Sequence, residues 1–276
     1  FSQRLPARGE TIHGDDFSLV LGGKGSNQVI AAARAGAPAS FVGCVGDDLF
    51  RTMIVEGLAG SGVDVTHLRT VPGPSGIAHI RVDASGQNDI VIVPLANSAL
   101  SIEQVDEALT ALAPTTSVLL TQLETPTELA LHIARTAHGL GITVVLDPAP
   151  AIPLPDEVWA SVDIVTPNET EAAVLTGITV SDVDSATDAG RWFVDRGVTT
   201  AIITLAGEGA VVVTADGVRQ FTPFLVDAVD TTAAGDAFAG YLGAALAAGS
   251  SIDDAIRLAN AAGALTVTQR GASSSL

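Results

Sequence analysis

Residues 117–150 read SVLLTQLETPTELALHIARTAHGLGITVVLDPAP, and this stretch decides the expected fold. It contains a short apolar run at 117–124, an amphipathic segment at 126–141 and a second apolar run at 142–150. Apolar runs of this length on either side of a segment with helical periodicity predict a strand, a helix and a second strand. Such a unit is typical of an α/β protein, in which helices cover both faces of a mostly parallel sheet.

The same alternation extends through most of the chain. Further helices are predicted over residues 25–37, 48–62, 101–113, 169–177, 184–197, 233–249 and 251–271. Further strands are predicted within residues 39–48, 162–168 and 199–217, the last as two strands joined by a glycine turn. Gly36 is expected to end the first of these helices, and Ser101 to cap another. The expected fold is therefore a three-layer α/β domain, a mostly parallel sheet flanked by helices.

Two segments, about 9–21 and 75–96, interrupt the alternation. The first contains one or two candidate strands, and the second has the pattern of a hairpin around Asp83–Asn88. We expect both to form a small β-rich part inserted within a single domain that spans residues 1–276.

Composition excludes several classes of function. The 276 residues carry a formal net charge of −18, which argues against nucleic acid or an anionic membrane as a partner. A single cysteine, Cys44, excludes an internal disulfide and a zinc site built from several cysteines. No apolar run approaches the roughly 20 residues that a membrane-spanning helix needs. A soluble cytoplasmic protein is expected.

The stretch VDTTAAGDAFAGYLGAAL, residues 229–246, carries the clearest chemical signal. Two carboxylates, Asp230 and Asp236, flank a run of very small residues, and a long apolar helix follows. Small side chains leave the N–H groups of a first helical turn accessible to an anion. Asp236 beside such a site can accept a proton from an attacking hydroxyl. The alternative is a purely structural helix start, with the aspartates as caps.

The only lysine of the chain lies in the glycine-rich stretch GGKGSN, residues 22–27; the other 12 basic residues are arginine. Glycines allow close backbone approach or a positive φ, and Lys24 and Asn27 can hydrogen-bond a polyol. A plain loop before a helix is the alternative, and the isolated lysine favours the functional interpretation. The stretch matches neither the Walker A motif nor the dinucleotide fingerprint, which disfavours a dinucleotide-dependent oxidoreductase.

Two further stretches admit both a structural and a functional interpretation. Asn168 and Glu171 have the N-x-x-E spacing of a capping box, which explains them without any ligand. The functional alternative places them at a strand end near nucleotide phosphates and Mg²⁺. TLAGEGA, residues 204–210, is either a plain hairpin or a turn whose backbone approaches a nucleotide.

Three stretches together, 22–48, 166–177 and 230–242, closely resemble the signature regions of the ribokinase, or PfkB-type, carbohydrate kinase family. The resemblance covers the whole chain, with the motifs in the same order. It implies transfer of the ATP γ-phosphoryl group to the 5-hydroxyl of D-ribose, giving ribose 5-phosphate. It also implies a ribokinase-like fold with a small β-sheet lid that forms the contact of a homodimer. Mg²⁺ with ATP and an activating K⁺ are the implied cofactors.

The resemblance implies a role for each matching position. The base is Asp236, and the anion hole is formed by Ala233, Ala234 and Gly235. The sugar-binding positions are Gly23, Lys24, Gly25, Asn27, Glu124 and Asp236. The nucleotide-binding positions are Asn168, Thr204, Leu205, Ala206, Gly207, Glu208, Gly209, Gly235 and Asn260. Glu171 is tied to Mg²⁺ through water, and the K⁺ positions are Asp230, Thr232, Thr266, Gln269, Gly271 and Ser275.

The chain departs from the family pattern at both ends. Family members begin with a strand that carries an Asn-x-Asp segment, which grips the sugar, and continue beyond GASSSL with a further helix. The sequence is therefore expected to be a truncated one. Related kinases of the same family stay open as alternatives: a fructokinase, a deoxyribokinase, a ketodeoxygluconate kinase or a nucleoside kinase. A catalytically weak fragment that binds a sugar or a nucleotide is the alternative from another class.

Overall fold

The computed structural model describes residues 1–84 and 88–276, and its elements follow the predicted alternation. The helices are α1 (Lys24–Arg34), α2 (Phe50–Gly60), α3 (Ile102–Leu112), α4 (Thr127–Gly139), α5 (Glu169–Thr176), α6 (Val183–Val194), α7 (Ala234–Ala247) and α8 (Ile252–Thr266). The strands of the first half are β1 (Ala39–Ser40), β2 (Gly43–Gly46), β3 (Val63–Asp64), β4 (Leu68–Val71), β5 (Ile77–Val82) and β6 (Asn88–Val93). Those of the second half are β7 (Val118–Thr121), β8 (Thr143–Leu146), β9 (Ile164–Val165), β10 (Thr200–Thr204), β11 (Ala210–Thr214) and β12 (Gly217–Phe221).

The central sheet has the strand order β12-β11-β10-β9-β8-β7. Strands β7 to β10 are parallel, and β11 and β12 add an antiparallel edge. Within the stretch 117–150, β7 and β8 pair in parallel from Val118 opposite Thr143 to Thr121 opposite Leu146, with α4 as the connection. The predicted mostly parallel sheet is therefore confirmed. Strand β2 pairs with β4 in a separate two-stranded sheet.

Successive strand residues pack against opposite helical layers. Val144 and Ile203 belong to a core cluster that includes residues of α3, α4 and α6. Their chain neighbours Val145 and Ile202 belong to a second cluster, with residues of α7 and α8. Since side chains of a strand alternate between its two faces, apolar runs buried on both faces require a helical layer on each side. The three-layer prediction is confirmed.

The two segments outside the alternation differ. Strands β5 and β6 form the predicted hairpin, with Ile77 opposite Val93 and Ile80 opposite Ile90. The turn predicted around Asp83–Asn88 falls partly on residues 85–87, outside the described residues. The strands predicted within 9–21 are wrong, since this described segment contains no strand. A strand needs a partner for its backbone groups, and no strand of the described chain pairs with this segment.

Among the described residues, no helix combines the length and apolar character that crossing a bilayer requires.

Close packing of α1 against α7 positions the N-terminal glycine-rich stretch. Gly240 lies on α7 directly against α1, where an ideal Cβ would come within 2.5 Å of the Ala31 Cβ. The same Cβ would lie 2.5 Å from the carbonyl oxygen of Gln28. Only glycine allows the two helix backbones to approach this closely. The contact places Lys24, Asn27 and Gln28 of α1 beside the start of α7.

We expect Gly240→Ala to reduce the free energy of unfolding by about 1–3 kcal/mol, because the added methyl group overpacks the contact. The measurement is urea unfolding followed by circular dichroism. Gly139→Ala in α4 is the matched control, since a Cβ there meets no atom within 4 Å. This control should be neutral or slightly stabilising. Equal stability of the two variants would contradict the described packing.

Candidate active site

The N-terminus of α7 opens onto a cavity of about 200 Å³. Ala233 caps the helix with φ 62°, in the left-handed region that side-chain-bearing residues rarely adopt. The N–H groups of Gly235 and Asp236 donate to no acceptor among the described residues. These groups and the positive end of the helix dipole make the site suitable for an anion. Residues 233–236 all line the cavity. The anion hole at Ala233, Ala234 and Gly235 stays a prediction.

Asp236 is buried in polar surroundings at this cavity, with 5% of its surface exposed. Its Oδ2 accepts a hydrogen bond from Asn27 Nδ2 at 2.8 Å, and its Oδ1 accepts one from Gln28 Nε2 at 3.2 Å. Lys24 Nζ lies 3.7 Å from the same Oδ1. The partners all come from α1, so the structure brings the predicted base and two predicted sugar-binding residues together.

A second buried carboxylate, Asp147, was missed by the sequence analysis. It follows β8 directly, and its Oδ2 accepts hydrogen bonds from Lys24 Nζ at 3.1 Å and Gln28 Nε2 at 2.7 Å. Burial, together with the charges of Asp236 and Glu171, raises the pKa of Asp147 to about 7, although Lys24 opposes the increase. The sequence feature that could have identified Asp147 is its position directly after an apolar run. This position predicts the carboxyl end of a parallel strand, where α/β proteins bind ligands.

Lys24 is held between carboxylates. Burial lowers its pKa, but the charges of Asp147, Asp236 and Glu171 outweigh burial and raise the pKa above its usual value. The ammonium group therefore stays protonated at neutral pH. The backbone N–H of Lys24 donates to Glu124 Oε2 at 2.9 Å. Burial raises the pKa of Glu124, and the hydrogen bond from Lys24 and the charge of Lys24 both oppose this increase.

Two glycines allow this arrangement of the predicted sugar-binding residues. Gly23 has φ 92° immediately before α1, and an ideal Cβ there would lie 3.7 Å from Glu124 Oε2. An ideal Cβ at Gly25 would lie 3.2 Å from Gln122 Oε1. The stretch after β7 and the start of α1 therefore lie against each other.

Asn168 and Glu171 form the capping box that their spacing predicted, whereas their role near nucleotide phosphates and Mg²⁺ stays a prediction. Asn168 Oδ1 accepts from the N–H of Glu171 at 2.8 Å, and Glu171 Oε2 accepts from the N–H of Asn168 at 2.9 Å. This reciprocal pair is a capping box that begins α5. Both side chains also line the cavity, together with Thr204 at the end of β10. A structural cap thus holds two polar groups at the predicted nucleotide site.

Gly235 also lines the cavity, whereas the remaining predicted nucleotide-binding residues lie outside its lining. Residues 205–209 form the turn between β10 and β11, as predicted for a hairpin, and Asn260 lies half-buried on α8. Gly209 is essential to this turn because an ideal Cβ, at φ 91°, would lie 2.0 Å from the Phe221 carbonyl oxygen. A nucleotide role for these positions stays a prediction.

The residues predicted for K⁺ lie in two segments that contact each other. The N–H groups of Val229 and Asp230 donate to the Val267 carbonyl oxygen at 2.7 and 3.1 Å. Gly271 N donates to Asp230 Oδ2 at 3.0 Å, and Ser275 Oγ donates to the Gly271 carbonyl oxygen at 2.7 Å. Burial raises the pKa of Asp230, but hydrogen bonds from Gly271 and Thr232 outweigh it and hold the pKa below its usual value.

These contacts define what the cavity can do chemically. It combines an open helix N-terminus, one protonated lysine and two buried carboxylates, so it can hold a phosphoryl group beside a proton acceptor. The further lining residues are Thr166, Thr231 and Phe238.

Known proteins resemble this chain over its whole length. The family model described as "pfkB family carbohydrate kinase" matches residues 1–276. Ribokinase of Haemophilus influenzae is 44% identical over 97% of this chain and 88% of that protein. Deoxyribokinase of Salmonella typhi is 36% identical over 100% of this chain and 90% of that protein. The structure of Arabidopsis thaliana ribokinase complexed with ribose and ATP has a TM-score of 0.90 and 31% identity, and covers 99% of this chain and 90% of that chain. The chain therefore belongs to the pfkB family of carbohydrate kinases.

Proposed function

We propose that the protein transfers the γ-phosphoryl group of ATP to the 5-hydroxyl of D-ribose, giving ribose 5-phosphate. The observation that carries the reaction type is the buried Asp236 carboxylate beside the open N-terminus of α7. Ribose is favoured among sugars because the Haemophilus influenzae protein, at 44% identity, is a ribokinase. The Salmonella typhi relative, at 36% identity, makes deoxyribose the second candidate.

The proposed mechanism assigns the proton and the developing charge to different groups. Asp236 accepts the proton of the sugar hydroxyl as the hydroxyl oxygen attacks the γ-phosphorus of ATP, and the bond from that phosphorus to the bridging oxygen breaks to release ADP. The open N–H groups of Gly235 and Asp236 stabilise negative charge on the phosphoryl oxygens, and the Lys24 ammonium donates to the sugar. Asn27 and Glu124 hold other hydroxyls of the sugar. Positioning and electrostatics supply most of the acceleration in phosphoryl transfer.

Magnesium is the divalent cation proposed to accompany ATP. Glu171 and Asp147 present carboxylate groups at the cavity, and Mg²⁺ prefers oxygen ligands and keeps several of its waters. Oε2 of Glu171 already accepts a hydrogen bond in the capping box. Contact between Glu171 and Mg²⁺ through a water molecule is compatible with this bond. When bound, Mg²⁺ would offset part of the charge of the ATP phosphates.

Potassium is the proposed activating cation. Asp230, Thr232, Thr266, Gln269, Gly271 and Ser275 would hold it, several through backbone carbonyl groups. The proposed set suits a monovalent cation because Asp230 offers an ionised carboxylate, and backbone carbonyl groups of the other positions would add neutral oxygen ligands. When bound, K⁺ would add positive potential near the start of α7.

The direct test measures ADP release with D-ribose, 2-deoxyribose, fructose and adenosine, each with ATP and Mg²⁺, in K⁺ and in Na⁺ buffers. We expect kcat/KM to be highest for ribose and to fall in the Na⁺ buffer. A higher value for another sugar or for adenosine would replace ribose as the substrate. No ADP release with any of the four would refute the proposal.

Asp236→Asn should lower kcat by about 10²–10⁴-fold, because the amide cannot accept the proton. The dissociation constant of ATP, measured by calorimetry, should stay within a few-fold of the wild-type value. Asp184→Asn is the matched control, since Asp184 is an exposed aspartate in the first turn of α6. A normal kcat in Asp236→Asn would remove Asp236 from its assigned role.

We also propose that the hairpin of β5 and β6 forms the contact of a homodimer. Ile80, Ile90 and Ile92 lie on one face of this two-stranded sheet, and all three are exposed. An isolated two-stranded sheet is marginally stable in water, so an apolar face of this kind favours a covering partner. A second copy supplies an identical apolar face, which suits a symmetric contact.

The double variant Ile80→Lys/Ile92→Lys should be monomeric, because it places charges in the proposed contact. Sedimentation velocity should give about twice the 27.9 kDa chain mass for the wild type and a single chain mass for the variant. Leu49→Lys/Leu140→Lys is the control, since both leucines are exposed outside the hairpin. A monomeric wild type at micromolar concentration would contradict the proposal.

A further inference from the structure

We propose that Gln28 is a positioning residue for phosphoryl transfer, whose single side-chain amide holds the carboxylates of Asp236 and Asp147 in fixed relative positions. The inference rests on the proposed kinase function, because it concerns the base of that reaction. It adds to that function a residue that belongs to neither the proposed sugar-binding set nor the proposed nucleotide-binding set.

The geometry of Gln28 makes it a bridge. Its Nε2 donates to Asp147 Oδ2 at 2.7 Å and to Asp236 Oδ1 at 3.2 Å, so each of the two amide hydrogens serves one carboxylate. Its Oε1 accepts from Gln122 Nε2 at 2.5 Å. This third bond fixes which end of the amide faces the carboxylates. The side chain is fully buried, with 1% of the residue exposed.

The charges around Gln28 show why a neutral donor suits this position. Asp147 and Asp236 lie 3.1 and 3.7 Å from the Lys24 ammonium, and Glu124 accepts from the Lys24 backbone N–H, so the carboxylates outnumber the single cation. Burying a carboxylate without a hydrogen-bond donor costs free energy, and the missing hydrogen bond makes the ionised form less stable relative to the protonated form. An amide satisfies two carboxylates at once without adding charge. A carboxylate at position 28 would add repulsion in place of both bonds.

Gln28 and its chain neighbour Asn27 both hydrogen-bond Asp236. Asn27 donates to Oδ2 of Asp236 and Gln28 donates to Oδ1, so two consecutive residues of α1 hold both oxygens of the proposed base. The Gln28 carbonyl oxygen lies in the close contact of α1 with Gly240 on α7, the helix that carries Asp236. The backbone contact and the side-chain bond therefore fix the same pair of helices. Because a small displacement of a reacting group lowers the reaction rate strongly, holding Asp236 in position supports catalysis.

The test compares Gln28→Met with the wild type. Methionine keeps the volume and removes the three hydrogen bonds, and loss of a bond to a charged group corresponds to about a 10- to 100-fold lower kcat. The KM values for ribose and ATP should change less than threefold. Gln104→Met is the matched control, because Gln104 is also buried and donates to the carbonyl oxygens of Gly43 and His67. It should lower the melting temperature and leave kcat unchanged.

Gln122→Met supplies a second variant that removes only the bond that orients Gln28. We expect it to lower kcat less than Gln28→Met does, and the double variant to equal Gln28→Met, because Gln122 acts through Gln28. Normal kcat in folded Gln28→Met, or in Gln122→Met if Gln28→Met does not fold, would overturn the inference. An equal loss of kcat in Gln104→Met would also overturn it, since general destabilisation would then explain the effect.

A crystal structure of Gln28→Met separates this inference from the proposed function. The Asp236 and Asp147 carboxylates should move apart relative to the wild type. Unmoved carboxylates would overturn the positioning role, whether or not the protein phosphorylates ribose. A wild type that is inactive on every sugar would refute the proposed function alone, and the carboxylate positions would still decide the inference.

Discussion

The burial of Asp147 and Asp236 around one lysine is the constraint on which the site depends. Two carboxylates removed from water repel each other, and each loses hydration that the interior must replace. Lys24 supplies the charge and Gln28 the hydrogen bonds. A site of this kind tolerates little rearrangement, because removing one partner leaves a buried charge unmatched. Because the chain has a net charge of −18, the positive potential at this cavity comes from Lys24 and the N-terminus of α7.

The α/β fold brings this charged group together from distant parts of the chain. Asp147 ends a parallel strand, Asp236 lies in the first turn of α7, and Lys24 begins α1. Gln28 is separated from Asp147 by 119 residues and from Asp236 by 208. Carboxyl ends of parallel strands and N-termini of the following helices meet at one edge of such a sheet, so the fold concentrates polar groups there. The close contact of α1 with Gly240 on α7 then sets the distances between the polar residues of α1 and Asp236.

Several residues at this edge serve structure and site together. Asn168 and Glu171 begin α5 as a capping box and also face the cavity. Ala233 takes a left-handed conformation that opens the first turn of α7 toward the same cavity. The side chains of Asn168 and Glu171 therefore accept from backbone N–H groups at the start of α5 and also line the cavity. A substitution at such a position therefore changes helix stability and site geometry at once.

The sequence by itself determined the features that depend on near neighbours. Alternating apolar runs and amphipathic segments predicted the parallel sheet and its two helical layers, and Ser101 was found as a cap because its bond reaches only three residues. Motif resemblance pointed to Asp236 and to the stretch around Lys24. The tertiary structure alone showed that the strands predicted within 9–21 do not form, because no strand of the described chain pairs with them. It alone also brought Asp147 and Gln28 to the site. The reason is physical: short-range periodicity and capping are encoded in adjacent residues, whereas a buried hydrogen bond across 119 or 208 residues exists only after the chain has packed.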